Sequence, residues 1–140
     1  MGGLLTGVVS GAALSLLSMF ALGVLHRYLF GPAIAPFGDP AFFTSMSAIG
    51  LVVLILLRLL SAWIGGWAAA RLSGEPQAAW AGPAAVLTSA IVVVVMGMSQ
   101  PLWSLVVSGV ALLALGWAMS RSAAGLPIIP EGLLPGPKAD

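Results

Sequence analysis

Long runs of apolar residues, separated by short polar or proline-rich stretches, make up most of this 140-residue chain. A helix needs about 20 apolar residues to cross the hydrocarbon core of a bilayer. Membrane-spanning strands would instead alternate between apolar and polar residues over about ten positions. The continuous runs therefore predict four transmembrane helices, over residues 4–25, 41–72, 79–98 and 101–119.

The stretches between the runs carry turn-forming residues. Glycine and proline dominate residues 30–40, which predicts a loop, and residues 73–77 predict a tight turn. A hairpin around Ser99 and Gln100 would join the last two helices. We therefore expect an all-α membrane bundle of four transmembrane helices over residues 1–121, with both termini on the same side, followed by a Pro/Gly-rich C-terminal tail over residues 122–140.

The second run is longer than a bilayer requires. As one helix, residues 41–72 would extend about 48 Å, whereas the hydrocarbon core is about 30 Å thick. We expect the first turns of this helix, around Thr44, Ser45 and Ser47, to lie at the membrane interface. A strong tilt of the whole helix is the alternative.

Composition supports a membrane protein and excludes several other classes. Charged residues make up 6% of the chain and apolar ones 60%, with a mean hydropathy of +1.12. Soluble domains carry about 25% charged residues. The net charge of +1 provides no basic patch, so we expect no nucleic-acid partner. The absence of cysteine excludes disulfides and thiolate chemistry.

The distribution of cations predicts the orientation in the membrane. Arg71, Arg121 and Lys138 fall on the side of the termini, and Arg27 with His26 falls on the other. By the positive-inside rule, both termini of this multi-pass protein would lie in the cytoplasm, with the helices in the cell inner membrane. Aromatic residues cluster near both expected interfaces, Trp63, Trp67, Trp80 and Trp117 on the cytoplasmic side and Tyr28, Phe30, Phe37, Phe42, Phe43 and Trp103 on the other.

One arginine lies inside an apolar run. Arg58 is about 20 Å from Arg71 along a helix axis, which places it near the middle of the bilayer as a buried charge. A central charge costs at least about 2.5 kcal/mol on insertion scales, and no apolar run offers a carboxylate. Three interpretations stay open. Arg58 bonds groups of its own bundle, it meets an anion on another subunit, lipid or cofactor, or its side chain reaches an interface. Within the bundle, the candidate partners are Ser61, Thr88 and Ser89.

Small residues recur at helical spacing on two of the runs. Such ladders allow two helices to approach closely, as in GxxxG motifs. They predict a helix-packing interface, either between helices of one bundle or between copies of the chain. The first ladder is Gly3, Gly7, Gly11 and Ser15, and the second is Ser61, Gly65 and Ala69, with Gly66 and Ala70 beside it.

His26 is the single histidine, at the end of the first run. A membrane histidine can ligate haem or a pigment magnesium, but an interfacial histidine beside Arg27 fits the position as well. No catalytic or metal-binding motif occurs elsewhere in the sequence. We therefore assign no catalytic residue, no metal site and no specific cofactor, and expect membrane lipids as ligands.

A short motif carries a family resemblance. The stretch from Gly65 to Arg71, GGWAAAR, resembles the GGxxAAR helix ending of small bacterial four-helix membrane proteins of unknown function. Pro101-Leu-Trp103 and the ending from Gly116 to Arg121 are similar to the second hairpin of such proteins. The resemblance covers about residues 48–121, and it implies a four-helix fold but no activity.

These features favour one function class over two others. The glycine ladder, the isolated Arg58 and the lack of a catalytic constellation favour an accessory or assembly subunit of a larger membrane complex, bound to other membrane subunits or to itself. The alternative is a small homo-oligomeric transporter or channel with Arg58 on an anion route. The sequence leaves open whether the chain is an enzyme, and we expect that it is not.

Overall fold

The computed structural model of the chain describes residues 2–31, 37 and 39–125. Over these residues the fold is helical: α1 is Gly2–Phe30, α2 is Ala48–Ser73, α3 is Ala81–Val95 and α4 is Leu102–Ala123. A 3₁₀ turn, Pro76–Trp80, runs directly into α3, so the third apolar span is Pro76–Val95. Each of the four spans is long and apolar enough to cross a membrane, which confirms the predicted fold class.

The start of the second helix differs from the prediction. Residues 41–46 form turns, and α2 begins only after Ser47. The hydroxyl oxygen of Ser47 accepts a hydrogen bond from the Gly50 N–H at 3.1 Å, a standard N-cap that starts the helix there. The 26 residues of α2 extend about 39 Å. The expectation of a helix beginning at residue 41 is therefore wrong, and the turn accounts for much of the excess length.

The turn before α2 also contributes to the core. Phe43, at 1% exposure, and Met46 pack against Leu51 and Met98 in a cluster between this turn, α2 and the α3–α4 connection. Phe43 was expected among the interfacial aromatic residues on the side opposite the termini, and it lies at that end of the bundle but is buried. The apolar ring covers the interior of the bundle instead of facing lipid headgroups.

The helices alternate in direction around a central pair. Both α2 and α3 contact every other helix, whereas α1 and α4 make no contact within the described residues. The helices α1 and α4 thus lie on opposite sides of the α2–α3 pair. We call the end with the starts of α1 and α3 and the ends of α2 and α4 the Gly2 end, and the opposite one the Phe30 end.

The connections match this arrangement. At the Gly2 end, α2 stops at Gly74, whose φ of 72° is left-handed and whose N–H donates to the Ala70 carbonyl at 3.0 Å.

At the middle of the bundle, Ala62, Val86 and Leu112 form a second buried cluster. Residues 32–36, 38 and 126–140 include most of the predicted first loop and C-terminal tail, and these predictions lie outside the described residues.

Candidate functional site

A chain of polar side chains enters the bundle from the Phe30 end. Arg58 on α2 is 7% exposed, and Gln100, in the α3–α4 connection, is 8% exposed. Arg58 donates from Nη1 to the Gln100 Oε1 at 3.2 Å, and the Gln100 Nε2 donates to the Ser104 hydroxyl at 2.8 Å. The Ser104 hydroxyl in turn donates to the Pro101 carbonyl at 2.8 Å. This polar chain ties α2 to the start of α4.

The position of Arg58 in α2 explains how it reaches Gln100. Helical side chains lie over the turn toward the helix N-terminus, and the N-terminus of α2 is at the Phe30 end. Arg58 is about 15 Å from Ala48 along the axis, and its long side chain shortens the distance to the α3–α4 connection. The guanidinium carbon lies 5.5 Å from the centre of the Phe43 ring, which shields the cation from the membrane.

The partners expected for Arg58 from the sequence were wrong. The Ser61 hydroxyl donates to the Leu57 carbonyl at 3.0 Å, and the Ser89 hydroxyl donates to the Val86 carbonyl at 2.7 Å. Thr88 is exposed on the outside of α3. Ser61 follows Arg58 toward the C-terminus of α2, and the arginine side chain extends the other way. No carboxylate takes part, since Asp39 and Glu75, the acidic residues of the described part, form no ion pair with Arg58.

The polar chain stops halfway along α4. Ser104 and Ser108 occupy successive turns of the buried face, and Ser108 is 3% exposed with no hydrogen-bond partner for its hydroxyl. The next turn of the same face brings Leu112, which packs with Ala62 and Val86. This apolar cluster closes the interior, so the polar residues form a half-membrane stripe and not a continuous path.

His26 is buried between α1 and α2 near the Phe30 end. It is 2% exposed, and its Nε2 lies 2.8 Å from the Gly50 carbonyl oxygen of α2. A carbonyl can only accept, so Nε2 carries the hydrogen and donates it. The ring also lies 4.8 Å from the Phe30 ring. In this arrangement the Nε2 lone pair is not available to a haem iron or a pigment magnesium, and His26 joins α1 to α2.

The two small-residue ladders meet along the α1–α2 seam. A Cβ atom added to Gly7 would lie 2.6 Å from the Ser73 Cβ, and one added to Gly11 would lie 2.5 Å from the Gly65 carbonyl oxygen. The Ser15 hydroxyl donates to the Ser61 carbonyl at 2.9 Å, which adds a polar contact to the seam.

Two other ladder residues, Gly3 and Gly66, lie at the edge of this seam or away from it. Gly3 is exposed at its edge, 3.9 Å from the Ser73 carbonyl oxygen by the same measure. Gly66 lies on another face of α2, against Ala79 and the Met119 side chain. The ladders thus pack against each other within one chain, and Gly66 belongs to the contact with the α3 span and α4.

Three contacts in the structure were not predicted from the sequence. Gly82 lies against the backbone of Ala62 and Gly66, and Gly116 lies under the Trp80 ring. Gln100 was placed in a hairpin but not paired with Arg58. The sequence does show Gln100 as a polar residue between two apolar runs. Its pairing with Arg58, however, depends on the register between the helices.

Neither a metal site in the described residues nor a similar protein points to a function for these side chains. Within residues 2–31, 37 and 39–125, no three histidine or carboxylate side chains come together as a metal site would require. No family model, no curated protein and no solved structure matches this chain.

Proposed function

We propose that this chain is an accessory or assembly subunit of a larger complex in the inner membrane, without a catalytic site of its own. The observation that supports this best is the use of its interior polar groups. Arg58, Gln100 and Ser104 bond to one another, and His26 bonds the backbone of the neighbouring helix. These groups hold the bundle together, which leaves the outer apolar faces as the surface for lipids and other membrane subunits.

Purification in a mild detergent tests this proposal. The tagged chain is expected to elute with a larger membrane protein at fixed stoichiometry, measured by quantitative mass spectrometry of the eluted complex. The variant Gly11→Leu, which disturbs the α1–α2 seam and thereby the fold of the chain, should also reduce that stoichiometry. A chain that elutes alone, or only with copies of itself, from native membranes would contradict the proposal.

The second candidate is a homo-oligomeric transporter or channel with Arg58 on an anion route. The polar stripe of Gln100, Ser104 and Ser108 beside an arginine favours this class. This stripe ends at the apolar cluster of Ala62, Val86 and Leu112, which argues against a transport route through the bundle. Anion flux into liposomes that contain the purified chain alone, and that Arg58→Leu abolishes, would support the transporter over the subunit.

We also propose that both termini face the cytoplasm. The basis is the position of Arg71 and Arg121 at the Gly2 end, with Lys138 following in sequence, against Arg27 at the Phe30 end. Arg71 and Arg121 lie over Trp67 and Trp117, at 5.3 and 5.1 Å from the ring centres, as expected at headgroup depth.

Reporter fusions measure this orientation. Alkaline phosphatase fused after Asp140 is expected to be inactive and a fluorescent protein at the same position to be bright, because only the second folds in the cytoplasm. Insertion of the phosphatase after Asp39, at the Phe30 end, is the control and should be active. Active phosphatase after Asp140 would reverse the proposed orientation.

A further inference from the structure

A groove opens between α2 and α4 at the Gly2 end. Its volume is about 700 Å³, within the usual range of ligand sites, about 300–1,000 Å³. Trp63, Trp67 and Arg71 form one wall, Leu115 and Met119 form the other, and Ala79 of the 3₁₀ turn lies at its base. We call this feature the Arg71 groove.

The depth of the Arg71 groove matches one leaflet of a bilayer. Trp63 and Arg71 are about 12 Å apart along α2, and half of the hydrocarbon core is about 15 Å. The cationic end of the groove is at the end of α2, and the apolar walls extend toward the middle of the membrane. A partner helix would need a groove along a whole span, whereas a single acyl chain needs only this length.

The charge of the groove selects an anion. Arg71 is the charged residue of the described lining, and Glu75 in the adjoining turn bonds through its backbone N–H without pairing with it. The Arg71 guanidinium lies over the Trp67 ring, with its carbon 5.3 Å from the ring centre. Stacking uses the face of the guanidinium, so the in-plane N–H groups stay free to donate to a phosphate.

We propose that the Arg71 groove binds one anionic phospholipid, with the phosphate on Arg71 and one acyl chain between α2 and α4. Basic pockets between transmembrane helices recognise anionic headgroups in this way. Trp67, one turn from Arg71, lines the path where the headgroup meets the acyl chains, and Trp63 lines it deeper in the leaflet. The site is independent of the proposed subunit function, because it requires no protein partner.

Native mass spectrometry of the full chain tests the charge requirement. Palmitoyl-oleoyl phosphatidylglycerol is titrated against the detergent-solubilised protein, with the matching phosphatidylcholine as the neutral-headgroup comparison. Arg71→Gln is expected to weaken phosphatidylglycerol binding by about fivefold or more, with little effect on phosphatidylcholine. Arg121→Gln is the matched control, since it removes an equal charge at the same end from a residue that also stacks on a tryptophan. An equal loss in both variants would overturn the proposal.

A second pair of variants tests the groove without changing charge. Ala118 lines the groove and Ala114, one turn earlier on α4, is exposed outside it. Ala118→Phe should reduce phosphatidylglycerol binding as strongly as Arg71→Gln, and Ala114→Phe should leave it unchanged. Circular dichroism confirms that each variant keeps its helices. Undiminished binding in folded Ala118→Phe would place the lipid elsewhere and overturn the proposal.

Truncation after Gly125 distinguishes the lipid from the chain's own tail. The groove lining includes Ser122 and Ala123, which lie two or three residues before Gly125. If the lipid is the occupant, the truncated chain should bind phosphatidylglycerol as the full chain does. A large gain of binding on truncation would identify residues 126–140 as the occupant and overturn the proposal.

Discussion

Replacing Gly11 by leucine is expected to lower the free energy of unfolding by about 3 kcal/mol, because α1 and α2 touch at this glycine. A Cβ atom there would lie 2.5 Å from the Ala69 Cβ and 2.5 Å from the Gly65 carbonyl oxygen. A backbone carbonyl cannot rotate away as a long side chain could, so the helices must separate. Separation would also break the hydrogen bond from Ser15 to the Ser61 carbonyl.

The measurement is unfolding by sodium dodecyl sulfate in mixed micelles, followed by far-ultraviolet circular dichroism. Gly11→Ala should be intermediate, with a loss of about 1–3 kcal/mol. Gly23→Ala is the matched control on the same helix, because nothing lies within 4 Å of a Cβ at that position. Alanine is favoured over glycine inside a helix by roughly 0.5–1 kcal/mol, so this control should be neutral or slightly more stable. Equal unfolding of Gly11→Leu and the wild type would show that the seam is open in the micelle.

Replacing Gln100 by leucine is expected to cost about 2 kcal/mol or more, because it removes the acceptor of a buried cation. Arg58 would keep its charge at 7% exposure, with only the Phe43 ring against it. Arg58→Leu should cost less, since it leaves a neutral amide that still donates to Ser104 instead of an unpaired cation. The double variant Arg58→Leu/Gln100→Leu should be more stable than Gln100→Leu alone, because two apolar side chains replace the pair.

A double-mutant cycle on the same unfolding measurement gives the coupling between Arg58 and Gln100. We expect a coupling free energy of about 0.5–3 kcal/mol. Ser99→Leu is the matched control, an exposed neighbour in the same turn, and should be close to neutral. Arg58→Lys keeps the charge and loses the planar donor fork, so it should recover part of the stability. Strictly additive losses in Arg58→Leu and Gln100→Leu would show that the bond between them does not form.

The apolar runs predicted the number and type of elements, and the ends of the helices were less determined. The first, third and fourth runs became spans close to their predicted limits. The second run failed at its start because Phe43 and Met46 are as apolar as a helix segment, although they pack into a turn. Hydropathy cannot separate an apolar residue that faces lipid from one that folds under the bundle. The Ser47 N-cap was the local signal for the true start of α2.

The sequence predicted part of the candidate site. Spacing alone indicated that Gly7, Gly11 and Gly65 lie at a close helix contact, and the structure places them on one seam. Spacing could not predict which ladder meets which, or that Gly66 contacts α4 and Ala79. The unusual depth of Arg58 was visible in the sequence, but its partner was not. Gln100 is 42 residues away in the chain, and only the register of α2 against the α3–α4 connection brings the two together.

The sequence by itself determined that this chain forms four membrane-spanning helices. In lipid, backbone groups must bond internally and each span must be about 20 apolar residues long, so composition and run length suffice. Only the tertiary structure decided that α2 and α3 form the central pair, that His26 and Arg58 point inward, and that a groove opens beside Arg71. Apolar residues lie on every face of these helices, because the surrounding lipid and the core of the bundle are both apolar. Apart from Ser104 and Ser108 on α4, no polar stripe marks an inner face, and close contacts between small residues set the rotation of the helices.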